Sequence, residues 1–494
     1  MVSMNHKISI FSSAVLSLGL MGCGSSDDSQ VDDQNLQGNS LPPVEYDLDS
    51  YLGNKDLFIS AGTGRFRVEK KDDRWWFVTP EGNAFYSYAV QGVNSKGTAD
   101  LDGNHQYEAN ILEKYGSVPA WAAAQADLLK DTGFNTIGDF SEWEQFTGVI
   151  PYMTGIHISG GAPIIAGQPE VFRGGARDFF HPDFAAGVTS QAQEHLTACA
   201  NDAYCIGAFI DDEVSWAAGF LMKEPLFDAY QYLPAGAPGK LALQEFLEAK
   251  YSTIADFNGV WGSNFADFSD IQNVTEPIND GTFSDDTSEQ QADRQGFRKK
   301  VAKHYYQLAD QALDAISPTM LNMCGRFLAT NMTPDVLDVA AEHCDVISTN
   351  AFELPAQTMA YVEAVYGWTG IIMPNPLFSD IEYIKNRHDV PVLLASFTYR
   401  AEAAGQNHVP PTTIFGIVEN QTVRAQKFKD YMNGGLEYSN VVGAHWFIHS
   451  DQPKEGRWDG ENSTFGMVTI KDEPYTELID AMKEISYKIY PKTE

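Results

Sequence analysis

One stretch joins a buried strand to a run of acids: Cys199-Ala-Asn-Asp-Ala-Tyr-Cys-Ile-Gly-Ala-Phe-Ile-Asp-Asp-Glu-Val-Ser-Trp216. Residues 206–210 form an apolar run of strand length, and Asp211, Asp212 and Glu213 follow it directly. Adjacent carboxylates resist the loss of water and raise one another's pKa, so an ordinary core does not favour three of them together. The stretch therefore indicates a functional site at the end of a strand. The alternative is an exposed loop in which Asp211 or Asp212 caps a helix.

Strand-like segments recur along the rest of the chain and alternate with segments of helical spacing. The strand candidates are residues 85–93, 134–138, 155–159, 206–210, 320–324, 345–349, 391–396 and 441–448, and the helix candidates are residues 120–130, 185–199, 297–316, 334–343, 412–432 and 474–489. This alternation predicts an α/β fold, a (β/α)8 TIM barrel, rather than an open sheet. No Gly-x-Gly-x-x-Gly follows the first strand, which argues against nucleotide binding. A short N-terminal β meander is predicted over residues 66–85.

The chemistry of a (β/α)8 barrel lies at the carboxyl ends of its strands, so the residues there are site candidates. These residues are mostly polar or aromatic: Asn94, Asn135, Asp139, His157, Asp212, Glu213, Arg326, Asn350, Glu353, Ser396, Tyr399, His445 and Trp446. Each has a structural alternative, because Asn, Asp and Ser also cap helices, and His and Trp also pack in cores. Their shared place on one rim favours a site.

No metal or other cofactor is predicted. The histidines lack a metal-ligand spacing such as His-Glu-x-x-His. Asp100-Leu-Asp-Gly-Asn104 is a fragment of a calcium loop without its distal Glu.

The N-terminus is typical of an exported protein. Lys7 precedes an apolar run, residues 8–20, that is short for a membrane span, and Leu20-Met-Gly-Cys23 follows it. This pattern resembles a bacterial lipoprotein signal, which implies cleavage of residues 1–22, a lipid on Cys23 and anchoring to the outer membrane of a Gram-negative bacterium. A plain secretory signal is the alternative. Residues 23–45 are polar and acidic, so we expect a disordered tether before a folded domain at residues 46–494.

Composition and cysteine content limit the partners and the compartment. The net charge of −34 opposes binding to nucleic acid and to anionic membranes, so membrane contact is expected only through the lipid. Aromatic residues make up 12% of the chain and suit the flat faces of sugars. Apart from Cys23, Cys199 could pair with Cys205 and Cys324 with Cys344 in an oxidising compartment; buried free thiols are the alternative.

Four motifs carry a resemblance to a known family: Leu128-Leu-Lys-Asp-Thr-Gly-Phe-Asn-Thr-Ile-Gly138, Cys205-Ile-Gly-Ala-Phe-Ile-Asp-Asp-Glu-Val-Ser-Trp216, Asn440-Val-Val-Gly-Ala-His-Trp-Phe447, and Asp451-Gln-Pro with Gly456-Arg-Trp-Asp-Gly-Glu-Asn462. From about residue 60 to 490 the chain resembles the family-50 glycoside hydrolases, exo-acting β-agarases of marine bacteria in the clan of retaining (β/α)8-barrel glycosidases. The resemblance implies hydrolysis of β-1,4 galactosidic bonds in agar-type galactans, with Glu213 as general acid/base. We expect an algal galactan (agar, porphyran or carrageenan type) to contact Asn94, Asn135, Asp212, Trp216, Arg326, Tyr399, His445, Trp446, Asp451 and Gln452.

Two positions depart from the family pattern. The family has Asn before the acid/base, where it orients a sugar hydroxyl, whereas this chain has Asp212. The family nucleophile is the Glu of a Ser-Glu-Phe motif after the seventh strand, whereas this chain has Ala395-Ser396-Phe397. A retaining glycosidase needs a carboxylate there, because the group must stabilise an oxocarbenium-like transition state and form a glycosyl ester.

Three explanations for Ser396 remain open. Another carboxylate, Glu353 or Glu402, acts as the nucleophile or activates water in an inverting reaction. Alternatively, a group of the substrate takes the nucleophile's part. In the third explanation the protein, natural or engineered, has lost hydrolysis. We predict a glycoside hydrolase whose catalytic positions are Glu213, Ser396 and Glu353, and a catalytically inactive galactan-binding lipoprotein at the cell surface is the alternative.

Overall fold

The computed structural model describes residues 46–168, 175–217, 225–279, 286–328, 332–353, 378–403, 405–406 and 416–490. The predicted signal, the lipidation site Cys23 and the tether lie outside these residues, as does the start of the helix predicted at 412–432. The segment and domain boundaries drawn at residues 22 and 45 stay predictions.

Four short antiparallel strands precede the barrel and confirm the predicted meander. They are β1 (Asn54–Phe58), β2 (Arg67–Lys71), β3 (Arg74–Val78) and β4 (Asn83–Phe85), in the order β1-β4-β3-β2. Phe66, Phe77 and Phe85 are buried together with apolar side chains from the first residues of the barrel strands, namely Ile206, Leu321, Val346, Leu393 and Val442. The meander therefore closes the amino-terminal end of the barrel.

The barrel strands are all parallel. In chain order they are β5 (Ser87–Val90), β6 (Thr136–Ile137), β7 (Tyr152–Gly155), β8 (Cys205–Phe209) with its continuation β9 (Asp211–Asp212), β10 (Leu321–Asn322) with its continuation β11 (Gly325–Leu328), β12 (Ile347–Asn350), β13 (Val392–Phe397) and β16 (Val441–Trp446). Between β13 and β16, the strands β14 (Arg400–Ala401) and β15 (Ile417–Val418) form a separate two-stranded sheet. Strand β8 pairs with β10, and β9 pairs with β11. Barrel strands 4 and 5 are thus neighbours, and the described residues form a closed ring of eight strands. The predicted fold class is confirmed.

Helices surround this ring. They are α1 (Gln106–Tyr115), α2 (Val118–Thr132), α3 (Pro182–Ala200), α4 (Leu226–Ala229), α5 (Pro238–Lys250), α6 (Ile254–Trp261), α7 (Ser288–Ile316), α8 (Pro334–His343), α9 (Ser379–Arg387), α10 (Gln421–Leu436) and α11 (Thr476–Ser486). Five of these, α2, α3, α7, α8 and α11, overlap predicted helices, and α10 begins later than predicted. No helix of the described residues is both long enough and apolar enough to cross a membrane.

Barrel strand 3 begins earlier than predicted. It covers Tyr152–Gly155 instead of residues 155–159, and residues Ile158–Gly161 form a 3-10 helix. After the strand, Asp211 accepts hydrogen bonds from the backbone N–H and the hydroxyl of Ser159 at 2.7 and 3.0 Å. These bonds hold the 3-10 segment against the end of barrel strand 4.

Two disulfides join the pairs that the sequence left possible, Cys199–Cys205 and Cys324–Cys344. Cys205 begins β8 and its partner lies in α3, the helix before it. Cys324 stands between β10 and β11, and its partner directly follows α8. Each disulfide therefore ties a barrel strand to an adjacent outer helix.

Candidate active site

Glu213 directly follows barrel strand 4 at the carboxyl end of the barrel. Its backbone N–H donates to the carbonyl of Arg326 at 3.0 Å, and its φ is 54°. A non-glycine residue in this left-handed region costs roughly 1–2 kcal/mol, and such strain is concentrated at functional sites. The Asn350 side chain donates from Nδ2 to Oε1 of Glu213 at 2.9 Å. The Glu213 carboxylate is thus held at the barrel mouth by a neighbouring strand end.

Asp212 and Arg326 form an ion pair beside Glu213. Arg326 Nε lies 3.1 Å from Asp212 Oδ1, and its Nη1 lies 3.0 Å from Oδ2 of Asp139. The guanidinium is fully buried, 4.4 and 4.8 Å from the ring centres of Phe140 and Phe209. Burial lowers the pKa of Arg326, but the carboxylates of Asp212, Asp139 and Glu213 outweigh it and hold the pKa above its usual value. Arg326 is therefore charged and compensates this acidic cluster.

Asn350 connects the two acids. Its Nδ2 lies 3.2 Å from Oδ1 of Asp212 as well as 2.9 Å from Glu213. Asp212 stands where the resemblance predicts an amide donor. An amide donor is nevertheless present, because Asn350 of barrel strand 6 bonds to both Asp212 and Glu213. The sequence marked Asn350 only as a rim residue, because this contact depends on how strands 4, 5 and 6 are aligned.

A cavity of about 220 Å³ opens beside Glu213. Its lining comes mainly from the segments after barrel strands 3 and 4: His157, Ser159, Gly160, Gly175, Ala176, Arg177, Phe179, Asp211, Asp212, Glu213, Val214, Ser215 and Leu226. Within the described residues, no cluster of three or more His, Cys, Asp or Glu side chains could hold a metal ion.

Asp211 differs from its two acidic neighbours because it is buried, whereas they are half-buried. Besides Ser159, the Tyr305 hydroxyl donates to it at 2.9 Å. Its side chain also raises the pKa of His157, whose ring stacks on Phe140. Asp211 therefore fixes the segment after strand 3 against strand 4.

Ser396 forms a buried pair with Gln91. Its hydroxyl donates to Gln91 Oε1 at 2.8 Å, and Nε2 of Gln91 donates to the carbonyl of Ala395. Ser396 is 2% exposed and Gln91 is fully buried. The position at which the sequence resemblance predicts the nucleophile is thus occupied by a hydroxyl that is bonded to an amide. Gln91 follows barrel strand 1 directly, and sequence reasoning missed it because the strand was predicted to run on to residue 93.

Glu353 lies three residues beyond barrel strand 6 and contacts the outer layer. The Tyr399 hydroxyl donates to its Oε2 at 2.7 Å, and Nζ of Lys427, from α10, lies 2.9 Å from its Oε1. Glu402 is exposed, and its backbone N–H donates to the carbonyl of Val418. The catalytic roles of Glu353 and Glu402 stay predictions.

Asn135 does not lie on the carboxyl rim, so that prediction is wrong. Barrel strand 2 covers Thr136–Ile137, which places Asn135 at its amino end. The Asn135 side chain accepts from the backbone N–H of Tyr88 at 2.9 Å and donates to the carbonyl of Tyr86 at 3.0 Å. It links strands 1 and 2 at the closed end of the barrel.

Trp216 and Trp446 are buried, at 2% and 1% exposure, which corrects the expectation that they offer ring faces to a sugar. The Trp216 ring packs against aromatic rings of the outer layer, those of Phe179, Tyr305 and Tyr306. The Trp446 ring packs against Phe397 and Phe428. Sequence pattern alone does not tell a covered ring from an exposed one.

His445 points into the barrel. Its Nε2 lies 2.9 Å from the Ser87 hydroxyl, and burial lowers its pKa to about 3. His445 is therefore neutral at ordinary pH and fully buried.

The remaining predicted binding residues organise loops near the mouth. Asp451 accepts from the backbone N–H of Gly466 at 2.9 Å and from the hydroxyl of Tyr475 at 2.6 Å. The Gln452 side chain accepts from the backbone N–H of Ser463 at 2.7 Å, and that of Asn94 from the backbone N–H of Lys96 at 2.9 Å. Asp212, Glu213 and Arg326 thus lie together, whereas Asp451, Gln452 and Asn94 are engaged by their own loops; the binding and catalytic roles of these residues stay predictions.

Two curated proteins are similar in sequence. Beta-agarase B of Vibrio sp. (strain JT0107) is 25% identical over 497 residues, which cover 87% of this chain and 48% of that protein. Beta-agarase A of the same strain is 26% identical over 476 residues, which cover 85% of this chain and 45% of that protein. The chain therefore spans about half the length of the curated relatives it matches.

Solved agarase structures share the fold. An exo-beta-agarase superposes with a TM-score of 0.77 at 22% identity, covering 91% of this chain and 68% of its own. Another agarase gives a TM-score of 0.73 at 24% identity, with the same coverage of 91% and 68%. A family model described as beta-galactosidase, of glycoside hydrolase family 42, matches residues 179–367. The predicted resemblance to the family-50 glycoside hydrolases is confirmed.

Proposed function

We propose that this relative of the family-50 glycoside hydrolases is itself a glycoside hydrolase and cleaves β-galactosidic bonds in an agar-type algal galactan. The observation that carries the proposal is the position of Glu213, which lies at the open end of the barrel beside a cavity and is bonded to Asn350. A carboxylic acid there can protonate the glycosidic oxygen as the bond breaks. The sequence relatives named beta-agarases support the substrate class.

Asp212 has an electrostatic part in this reaction. Asp212 is paired with the buried Arg326, and it adjoins Glu213 in the chain. We infer that its negative charge stabilises the positive charge that develops on the sugar ring in an oxocarbenium-like transition state. A sugar hydroxyl near Asp212 would donate a hydrogen bond, because a carboxylate can only accept.

The second half of the reaction differs from that of a retaining relative, since Ser396 stands at the nucleophile position. We infer that water attacks the anomeric carbon while the leaving oxygen takes the proton of Glu213. The proton lost by the water passes to a second carboxylate, for which Glu353 is the candidate. Such a direct displacement inverts the anomeric configuration.

Glu213→Gln tests the proposal. The variant keeps the shape and the bond to Asn350 but cannot give up a proton, so we expect release of reducing ends from agar, porphyran or carrageenan oligosaccharides to fall by about 10²–10⁴-fold. Glu245→Gln, on the outer helix α5, is the matched control and should keep full activity. Full activity of Glu213→Gln on every substrate that the parent cleaves would contradict the role of Glu213.

The buried Ser396–Gln91 pair specifically favours a second candidate, a galactan-binding protein without turnover. The same assay separates the two, because binding without new reducing ends supports this candidate. For either function, the N-terminal pattern supports our proposal that Cys23 carries a lipid and anchors the protein at the outer membrane.

A further inference from the structure

The connection after barrel strand 8 contains a tight turn, residues 456–461, called here the rim loop. The backbone N–H of Gly460 donates to the carbonyl of Arg457 at 2.7 Å, and that of Arg457 donates to the carbonyl of Glu461 at 2.9 Å. Gly456 and Gly460 have φ values of 86° and 83°, which glycine adopts without steric cost. The rim loop therefore has a defined backbone conformation.

Side chains also fix the rim loop. Arg457 makes a bidentate ion pair with Asp459, at 2.8 and 2.9 Å, and its Nη2 lies 3.4 Å from Oε1 of Glu461. Glu461 in turn accepts a hydrogen bond from Gln452. Bidentate pairs of this kind hold a guanidinium in one orientation. The one arginine of the loop is thus balanced by two carboxylates.

The rim loop lies at the barrel mouth. Strand 8 stands opposite strand 4 in the ring, so a loop that leaves strand 8 can reach Glu213 only across the mouth. Burial lowers the pKa of Arg457, but Asp459, Glu461 and, more weakly, Glu213 raise it, so Arg457 and Glu213 are within electrostatic range. Glu455, just before the loop, accepts a hydrogen bond from Gln106 at 2.7 Å, which joins the loop to the segment after strand 1.

Trp458 stands in the middle of the rim loop and is 70% exposed, the highest value among the exposed large hydrophobic side chains of the described residues. A single exposed apolar residue is ordinary. This indole differs because a rigid loop presents it at the open end of the barrel, where Trp216 and Trp446 are covered. Phe58 is also exposed, at 53%, but it belongs to the meander at the closed end.

We propose that Trp458 is a substrate-binding residue that stacks on a galactan unit outside the sugar next to Glu213. A flat indole face fits the apolar face of a pyranose ring. Because Asp459 and Glu461 balance Arg457, the loop has no surplus positive charge for a sulfate ester, and the unit bound there is a neutral sugar. The inference rests on the proposed function for the identity of the glycan, but stacking needs no catalysis.

Calorimetric titration with agarose oligosaccharides of two, four and six sugar units tests the inference, in a Glu213→Gln background so that ligands stay intact. We expect Trp458→Ala to weaken binding of the longest oligosaccharide about three- to tenfold and to leave the disaccharide unchanged. Trp458→Phe should restore part of the affinity, and Phe58→Ala, the matched control, should bind like its background. In the active parent, the same Trp458→Ala change should raise KM for long substrates without changing kcat.

Equal affinity of Trp458→Ala and its background at every length would overturn the inference, as would an absence of binding by the background itself. The two proposals fail separately. If Trp458→Ala weakens binding but the parent shows no turnover, the binding role of Trp458 is supported and the hydrolase proposal is rejected. If the parent shows turnover but Trp458→Ala binds like its background, the hydrolase proposal is supported and the role of Trp458 is rejected. An equal melting temperature of the two proteins shows that the loss of affinity is not a loss of fold.

Discussion

Gln91 and Ser396 form a hydrogen-bonded pair at the position where the sequence resemblance predicts the nucleophile of a retaining glycosidase. The serine hydroxyl donates and the amide oxygen accepts, while the amide nitrogen is bound to a backbone carbonyl. A glutamate introduced at position 396 would bring a second acceptor against the oxygen of Gln91. Two acceptors cannot bond to each other, so residue 396 and Gln91 are coupled.

We therefore expect Ser396→Glu alone to gain little galactan hydrolysis and to lose about 1–3 kcal/mol of stability, because a larger, charged side chain enters a filled space. Combining it with Gln91→Ala makes room and removes the opposing acceptor, so the double variant should be more stable than Ser396→Glu and release more reducing ends. Denaturant unfolding and a reducing-end assay on Ser396→Glu, Gln91→Ala and the double variant form a double-mutant cycle. Additive effects in the cycle would contradict the coupling.

Candidate site residues can be predicted from the sequence where they directly follow a strand. Asp212 and Glu213 come after an apolar run, and a carboxylate there has few structural reasons to exist. Gln91 was not predicted as a partner of Ser396, because the two are 305 positions apart and their contact exists only once the ring closes. Burial of Trp216 and Trp446 is likewise decided by distant side chains.

Among the elements, α11 is preceded by a buried carboxylate that joins it to α1. Asp472 accepts from the hydroxyls of Tyr107 and Tyr115 at 2.5 and 2.6 Å, and Nζ of Lys114 lies 2.9 Å away. Burial raises the pKa of Asp472, but these donors and the nearby His449 outweigh it, and the pKa is held below its usual value. The carboxylate form is thus the one that the fold binds.

Asp472→Asn should lower the free energy of unfolding at pH 7 by about 2–4 kcal/mol, since the donors lose a charged acceptor. A depressed folded pKa gives stability that is present above the unfolded pKa of about 3.9 and is lost as pH falls through the folded pKa. The difference in the free energy of unfolding between parent and variant should therefore become smaller below about pH 4. Denaturant unfolding at a series of pH values measures it, with the exposed Asp480→Asn on α11 as control. A difference in the free energy of unfolding that stays constant with pH would show that the charge of Asp472 does not stabilise the fold.

Barrel strand 3 and helix α5 differ from the sequence prediction: the strand has other bounds, and the helix was not predicted. Apolar residues continue past Gly155 at Ile156 and Ile158, both buried, so the apolar pattern extends beyond the last residue of the strand. Helix α5 begins with Pro238-Gly239, residue types that predict a turn, and it was missed. Helix α8 was predicted with its observed bounds, because its apolar residues recur at helical spacing on one buried face.

For the whole molecule, the dominant electrostatic feature is a net charge of −34, from 67 acidic and 33 basic residues. Such a charge destabilises the compact state by self-repulsion. We expect the melting temperature to rise by a few degrees as NaCl increases from about 0.02 to 0.5 M, because the screening length falls below about 10 Å. Calorimetry in NaCl and in KCl measures it, and equal effects of both salts identify screening. A melting temperature that falls with salt would show that attractive ion pairs outweigh the repulsion.

Both disulfides of the described residues belong to barrel strands 4 and 5, the strands that carry Glu213 and Arg326. Production of the protein in a reducing host would therefore leave one sector of the ring without its cross-links. We expect the other six strands to keep most of the circular dichroism signal, so a spectrum alone would not reveal the missing cross-links. Titration of free thiols measures directly how much of a preparation has formed both cross-links.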